Sequence, residues 1–192
     1  LQGAHTFSEL EVNMPFNQYA TGTTGIEAWW CSIDSQNITV TGFANSMSVY
    51  ESDLNAEDLH LLDSSKQGLY ASSSMIHVSD SMQTRTSDTG LMMISSQAVL
   101  RTWSASTHED SANIDSESEV TAWDFTSIGQ LNSDSTGDGT LNYGSSQTLS
   151  KLQTASNNRL WEMTINFEDL TGNPVDADWH VLGFSGTASS GT

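Results

Sequence analysis

Short stretches in which apolar and polar residues alternate recur along most of this chain. In residues 161–168, WEMTINFE, the apolar residues Trp161, Met163, Ile165 and Phe167 alternate with polar ones without a break. A period of two is typical of a β-strand that buries one face and exposes the other. We therefore expect residues 160–168 to form a strand with these four side chains buried, in a chain dominated by strands.

About eight to ten such stretches are separated by turn residues, at intervals of roughly a dozen residues. This spacing predicts an all-β chain that forms a single antiparallel β-sandwich or jelly-roll-like domain over residues 1–192. One short helix is expected near residues 55–63, because Asn55 is a good N-cap and two acidic residues follow in the first turn. We find no repeat of fixed period in the sequence. The tail SGTASSGT at 185–192 is expected to be flexible.

The charge of the chain excludes several classes of partner. The sequence has 24 acidic and five basic residues, for a net charge of −19. Nucleic acids and anionic membrane surfaces require a basic surface, so we expect neither as a partner. No apolar run is long enough to cross a membrane, and we expect no membrane insertion.

The composition favours an exported protein. The chain has 31 serines and 21 threonines but few basic residues, and it starts at Leu1 rather than at Met. We interpret it as a processed, extracellular or cell-surface protein. An archaeal or bacterial surface suits the acidity, because salt or divalent ions there would screen the self-repulsion.

We expect no enzymatic activity and no cofactor. The sequence lacks a G-x-S-x-G nucleophile elbow, and its histidines have no metal-ligand spacing. The carboxylates carry no signature that selects a catalytic pair. The single cysteine, Cys31, lies in the apolar stretch WWCSI. It is expected to be a small buried residue, with an intermolecular disulfide as the alternative.

One loop has the pattern of a calcium ligand set. In NSDSTGDG, the oxygen-bearing residues Asn132, Asp134 and Thr136 alternate, and Asp138 follows a glycine. Alternating oxygen ligands and a glycine suit a hard cation such as calcium. The same residues also suit an ordinary hairpin turn. We keep both interpretations of this loop.

Tryptophans provide candidate surfaces for stacking against sugars. We expect most to be buried in the core or in interfaces, and one or two to be exposed. The six are Trp29, Trp30, Trp103, Trp123, Trp161 and Trp179. Asn37 begins a single N-glycosylation sequon, Asn-Ile-Thr, which is a short and unspecific pattern.

The first segment, HTFSELEVNMPF, is a candidate for pairing with another subunit. Its apolar residues alternate cleanly, it lies at a terminus, and the glycine-rich stretch YATGTTG follows it; the residues on one face are Leu10, Val12, Met14 and Phe16. Residues 1–16 are therefore a candidate strand for exchange with a neighbouring subunit. The alternative is that the segment pairs within its own domain.

These observations lead to two hypotheses of function. The first is a non-enzymatic structural subunit of an extracellular, self-assembling filament, sheath or surface coat, whose partner is a second copy of itself. The alternative is a secreted module that binds a carbohydrate or another surface, with glycans or divalent cations as its ligands.

Overall fold

The fold is known from a computed structural model that describes residues 1–14, 22–86, 88–129, 136–144, 156–159, 173, 177–181 and 184–188. These residues form fifteen strands. The strands are β1 (Gly3–Asn13), β2 (Thr24–Trp29), β3 (Cys31–Thr41), β4 (Asn45–Tyr50), β5 (Asp53–Ser64), β6 (Gln67–Ser72), β7 (Met75–Thr86), β8 (Thr89–Ile94), β9 (Gln97–Thr107), β10 (Ala112–Ile114), β11 (Glu119–Gly129), β12 (Thr140–Tyr143), β13 (Ser156–Arg159), β14 (Ala177–Val181) and β15 (Phe184–Ala188).

Strands β1–β13 coil into a parallel β-solenoid of about five turns. Odd-numbered strands form an eight-stranded sheet in the order β1-β3-β5-β7-β9-β11, continued by β12 and β13, and even-numbered strands form a second sheet in the order β10-β8-β6-β4-β2. Neighbouring strands in both sheets run parallel. The prediction of a β-rich chain is confirmed, whereas the prediction of an antiparallel sandwich or jelly roll is wrong.

The solenoid has a regular repeat of about 22 residues. Asp53 pairs with Met75, Met75 with Gln97, and Gln97 with Glu119, so each step advances one turn. Our finding that the sequence has no repeat of fixed period is therefore wrong. The equivalent positions share size and polarity more often than identity, which hides the period from inspection.

The core consists of apolar side chains stacked along the solenoid axis. One ladder runs through the start of each long strand, and a second runs through its later half, where the Trp103 and Phe125 rings stack at 4.4 Å between centroids. All residues of both ladders are buried: Ile33, Leu54, Ile76, Ala98, Val120 and Leu141 in the first, and Ile38, Leu59, Met82, Trp103 and Phe125 in the second.

In most of the long strands the set of buried positions changes between odd and even numbers near the middle of the strand. In β3 the buried positions are odd-numbered up to Ser35 and even-numbered from Ile38 onward. Because side chains alternate along a strand, this change requires a local bend. β5 and β9 change phase at the equivalent place. β7 has one more residue there, so its buried positions stay even-numbered, and its register against β5 and β9 shifts at this point.

The helix predicted near residues 55–63 is a strand. This segment lies inside β5, where Leu54, Ala56, Leu59 and Leu61 are all buried. The acidic residues and the leucine spacing fitted a helix locally. The neighbouring strands β3 and β7 supply apolar partners on both sides, and that tertiary contact decides the structure.

A column of serines stands at the corner where the second sheet passes into the next long strand. Each backbone N–H donates to the hydroxyl oxygen of the serine on the next turn: Ser52 N–H to Ser74 at 3.2 Å, Ser74 N–H to Ser96 at 3.0 Å, and Ser96 N–H to Ser118 at 3.0 Å. We call Ser52, Ser74, Ser96 and Ser118 the serine column. It satisfies backbone donors at a buried corner that has no strand partner of its own.

The chain divides into two compact units, Leu1–Leu160 and Trp161–Thr192. The solenoid belongs to the first. In the second, β14 and β15 form an antiparallel pair. Residues 185–188 of the expected flexible tail lie in β15, whereas the expected strand at 160–168 and residues 189–192 fall outside the described residues.

Candidate functional site

The first strand leaves one edge of the solenoid open. β1 pairs in parallel with β3 from Gly3 opposite Cys31 to Asn13 opposite Thr41. It is the first strand in the sheet order, and no other described strand pairs with its outer edge. This edge is 11 residues long, which exceeds the usual length of a strand. A long, unpaired edge presents a row of backbone donors and acceptors to another chain.

The direction of the backbone groups in β1 follows from one hydrogen bond. Met14 N–H donates to the carbonyl of Thr41 in β3 at 3.0 Å. Backbone groups alternate between the two edges of a strand, so those of Val12 also face β3. The N–H and C=O groups of Glu11 and Asn13 therefore face the open edge.

The predicted exchange residues lie partly against the core of their own solenoid. Leu10 and Val12 are half-buried and pack on the core, opposite Ile38 and Val40 of β3. Met14 is half-buried, and Phe16 lies outside the described residues. The segment thus pairs within its own sheet on one side, and exchange between subunits stays a prediction.

A second surface feature is a column of corner residues next to the serine column. Trp30, Glu51, Ser73 and Ser95 have φ angles of 49°, 47°, 51° and 47°. We call these four residues the corner column. A positive φ costs a non-glycine residue roughly 1–2 kcal/mol. The chain therefore bends sharply at this corner on four successive turns, at an energetic cost.

Trp30 is the largest side chain in the corner column. Its indole N–H donates to a carboxylate oxygen of Glu51 on the next turn at 2.9 Å, and 60% of its surface is exposed. The ring of Trp29 lies 5.7 Å away at an angle of 51°, and Trp29 in turn stacks on Tyr50 at 4.0 Å. The hydrogen bond to Glu51 fixes the indole while one face of the cluster remains in solvent.

The other tryptophans differ in burial. Trp123 is 49% exposed, whereas Trp103 is fully buried and donates to Thr84 at 3.2 Å. In the described part of the chain two rings are exposed, as expected, but only Trp103 is buried, so the expectation that most tryptophans are buried is not confirmed there. Trp161 lies outside the described residues, and for Trp179 only its place in β14 is described.

Cys31 occupies the first position of the column that serines fill on later turns. Its side chain is buried, as predicted, and its N–H donates to the hydroxyl of Ser52 at 3.0 Å. The carboxamide oxygen of Asn37, the sequon residue, is buried without a hydrogen-bond partner in β3.

The predicted calcium loop is only partly described. Asn132 and Asp134 lie outside the described residues. Thr136 donates from both its N–H and its hydroxyl to the carbonyl of Ala112, and Asp138 is exposed. Within the described ranges, no three His, Cys, Asp or Glu side chains come close enough together to hold a metal ion. The calcium interpretation stays a prediction.

Comparison of the chain with protein-family models, with curated proteins and with solved structures finds no match. The part of the chain that the structure describes contains no helix that is long and apolar enough to cross a membrane.

Proposed function

We propose that this chain is a non-enzymatic structural subunit of an extracellular assembly, in which copies join through the open edge of β1. The observation that supports this proposal best is the 11-residue edge itself, which no described strand covers. Proteins that remain monomeric usually shorten, bend, cover or charge such an edge. Here the edge carries two glutamates but no lysine and no proline between Gly3 and Asn13.

Because the strands of the solenoid are parallel, only one edge of a second copy can continue the sheet at β1. A solenoid has two different ends, and continuing its sheet in the same direction requires the opposite end of a second copy. In the described sheet the strand at that end is β13. Contacts of this head-to-tail kind add one copy after another. They build a filament rather than a dimer, unless the rotation between copies closes the assembly into a ring.

The composition supports an extracellular setting with high ionic strength. Two copies that each carry a net charge of −19 repel each other. Salt screens this repulsion: its range, the Debye length, falls from about 10 Å at 0.1 M salt to about 3 Å at 1 M. Assembly should therefore strengthen as the salt concentration rises. Adding calcium at constant ionic strength then shows whether cations also bridge the subunits, because screening is unchanged.

A proline substitution on the open edge tests the proposal. Glu11 N–H faces the open edge, so Glu11→Pro removes a donor that the solenoid does not use. A proline is tolerated on an edge strand when its nitrogen faces solvent. Glu11→Thr is the matched control, because it removes the same charge but keeps the N–H. Val12→Pro is the opposite control, because Val12 N–H bonds to β3 and its loss should destabilise the subunit.

The expected result is that the parent and Glu11→Thr assemble with rising salt, whereas Glu11→Pro stays a folded monomer. Sedimentation velocity and negative-stain microscopy measure assembly, and circular dichroism confirms the fold. Glu11→Pro assembling as well as Glu11→Thr would refute the role of this edge. A parent protein that remains monomeric at every salt concentration would refute the proposed function.

A further inference from the structure

Trp30 has properties that packing does not explain. Its backbone is in the left-handed region, and its side chain is more exposed than the other exposed large apolar residues described. The equivalent positions on the next turns hold Glu51, Ser73 and Ser95. Small or polar residues therefore suit this corner, and a strained, exposed tryptophan suggests a function.

The surface beside Trp30 is an open depression of about 670 Å³. Among the residues that the structure describes, its polar side chains are carboxylates and hydroxyls and none is basic. They belong to Glu51, Asp53, Ser32, Ser52 and Ser73, and Trp30 also lines the depression. Such a lining accepts hydrogen bonds from a ligand rich in hydroxyl groups and repels anions.

We propose that this depression binds a neutral pyranose unit of a polysaccharide. The apolar C–H face of the sugar packs on the indole of Trp30, and its hydroxyls donate to the carboxylates of Glu51 and Asp53. Ligand sites are usually depressions in which aromatic or apolar side chains are combined with a few oriented polar groups. This site does not depend on assembly of the subunits.

The position of Glu51 favours a sugar over a cation. Its carboxylate accepts the indole N–H, so it lies at the edge of the ring rather than above its face. The hydroxyls of a stacked sugar project at that edge. A quaternary ammonium group instead sits over the face of a ring and binds best between several rings. Trp29, tilted at 51°, does not provide a parallel second wall.

Titration with neutral hexasaccharides tests the site. Cellohexaose, mannohexaose and laminarihexaose are each added to the full chain and to Glu11→Pro, while the indole N–H signals are followed by nuclear magnetic resonance. We expect at least one of them to shift the Trp30 signal in both proteins. Trp30→Ala should weaken its binding about tenfold or more, as for a central aromatic anchor. Trp123→Ala removes another exposed indole and should change the affinity less than about twofold.

Two further measurements distinguish a loss of sugar binding from a loss of folding, and a sugar site from a cation site. Trp30→Gly relieves the left-handed backbone, so it should lose sugar binding while its melting temperature stays close to that of the parent. The proposal is overturned if none of the three sugars binds at millimolar concentration. It is also overturned if tetramethylammonium binds at Trp30 instead, or if Trp123→Ala weakens sugar binding as much as Trp30→Ala.

Discussion

The serine column should be a main source of stability in the solenoid, and Ser74→Ala tests it. The Ser74 hydroxyl accepts the N–H of Ser52 at 3.2 Å and donates to the carbonyl of Ser72 at 2.8 Å. Ser74 is only 7% exposed, so water cannot easily replace these bonds. Alanine removes the acceptor and the donor together and leaves a buried N–H of Ser52 without a partner.

The expected loss follows from these two bonds. Losing a neutral hydrogen bond costs about 0.5–1.5 kcal/mol, and leaving a buried donor unsatisfied costs about 1–3 kcal/mol. The two effects overlap, because one of the lost bonds is the one that leaves the N–H unsatisfied. We therefore expect the free energy of unfolding to fall by about 2–3 kcal/mol, which lowers the melting temperature by about 5–10 °C.

Ser73→Ala is the matched control, because the same atoms are removed from the exposed neighbour of Ser74. Urea unfolding of both variants, followed by circular dichroism, gives the difference in stability. Hydrogen exchange of the Ser52 amide shows whether its protection is lost in Ser74→Ala alone. Equal stabilities of the two variants, or unchanged protection of Ser52, would refute the reasoning.

Three other substitutions have expected outcomes. Gly68→Ala should lower the free energy of unfolding in urea by about 1–3 kcal/mol, because the Cβ of the alanine would lie 2.5 Å from the carbonyl oxygen of Gly90 on the next turn. A smaller loss would show that the two turns can move apart. Cys31→Ser should change stability by less than about 1 kcal/mol, because serine fills the same column on later turns; a covalent dimer on non-reducing gels that this variant abolishes would show a disulfide instead. Arg85→Met should lower the free energy of unfolding by less than about 1 kcal/mol, because the side chains of the Arg85–Asp63 ion pair are 52% and 42% exposed. Salt screens such a pair, so a larger loss at 1 M salt than at low salt would contradict this interpretation.

The strands were predictable from the sequence, but their pairing was not. Alternation identified the later part of β1, where Leu10 and Val12 share one face, because a buried face leaves the same local pattern in any sheet. Whether neighbours run parallel depends on contacts between residues about 22 apart, which local pattern does not encode. The helix expected at residues 55–63 failed for the same reason, since β3 and β7 both pair with that segment.

The repeat had a signal that could have been found. Serines at positions 52, 74, 96 and 118 are 22 residues apart, as are the glycines at 68 and 90. Repeats of 20–50 residues are typical of solenoids. The signal is weak because Cys31 interrupts the serines on the first turn and because the core ladders mix residues as different as Ala98 and Leu141.

The candidate sites were predictable to different degrees. Alternation identified Leu10 and Val12 as one face of a terminal strand, and that face lies on the core of the solenoid. The sequence contained Trp30 among the candidate aromatic residues. It did not indicate the left-handed backbone that exposes this side chain, because that conformation arises from the stacking of corners.

The central claim is that copies of this chain join through the open edge of β1, and cryo-electron microscopy of the assembled protein tests it most directly. Neighbouring strands in a sheet lie about 4.7–4.9 Å apart, so a map that separates strands shows what pairs with β1. The account predicts a strand of the adjacent copy at that distance along β1, continuing the eight-stranded sheet. An assembly in which the outer edge of β1 faces solvent, or is covered by its own chain, would contradict it.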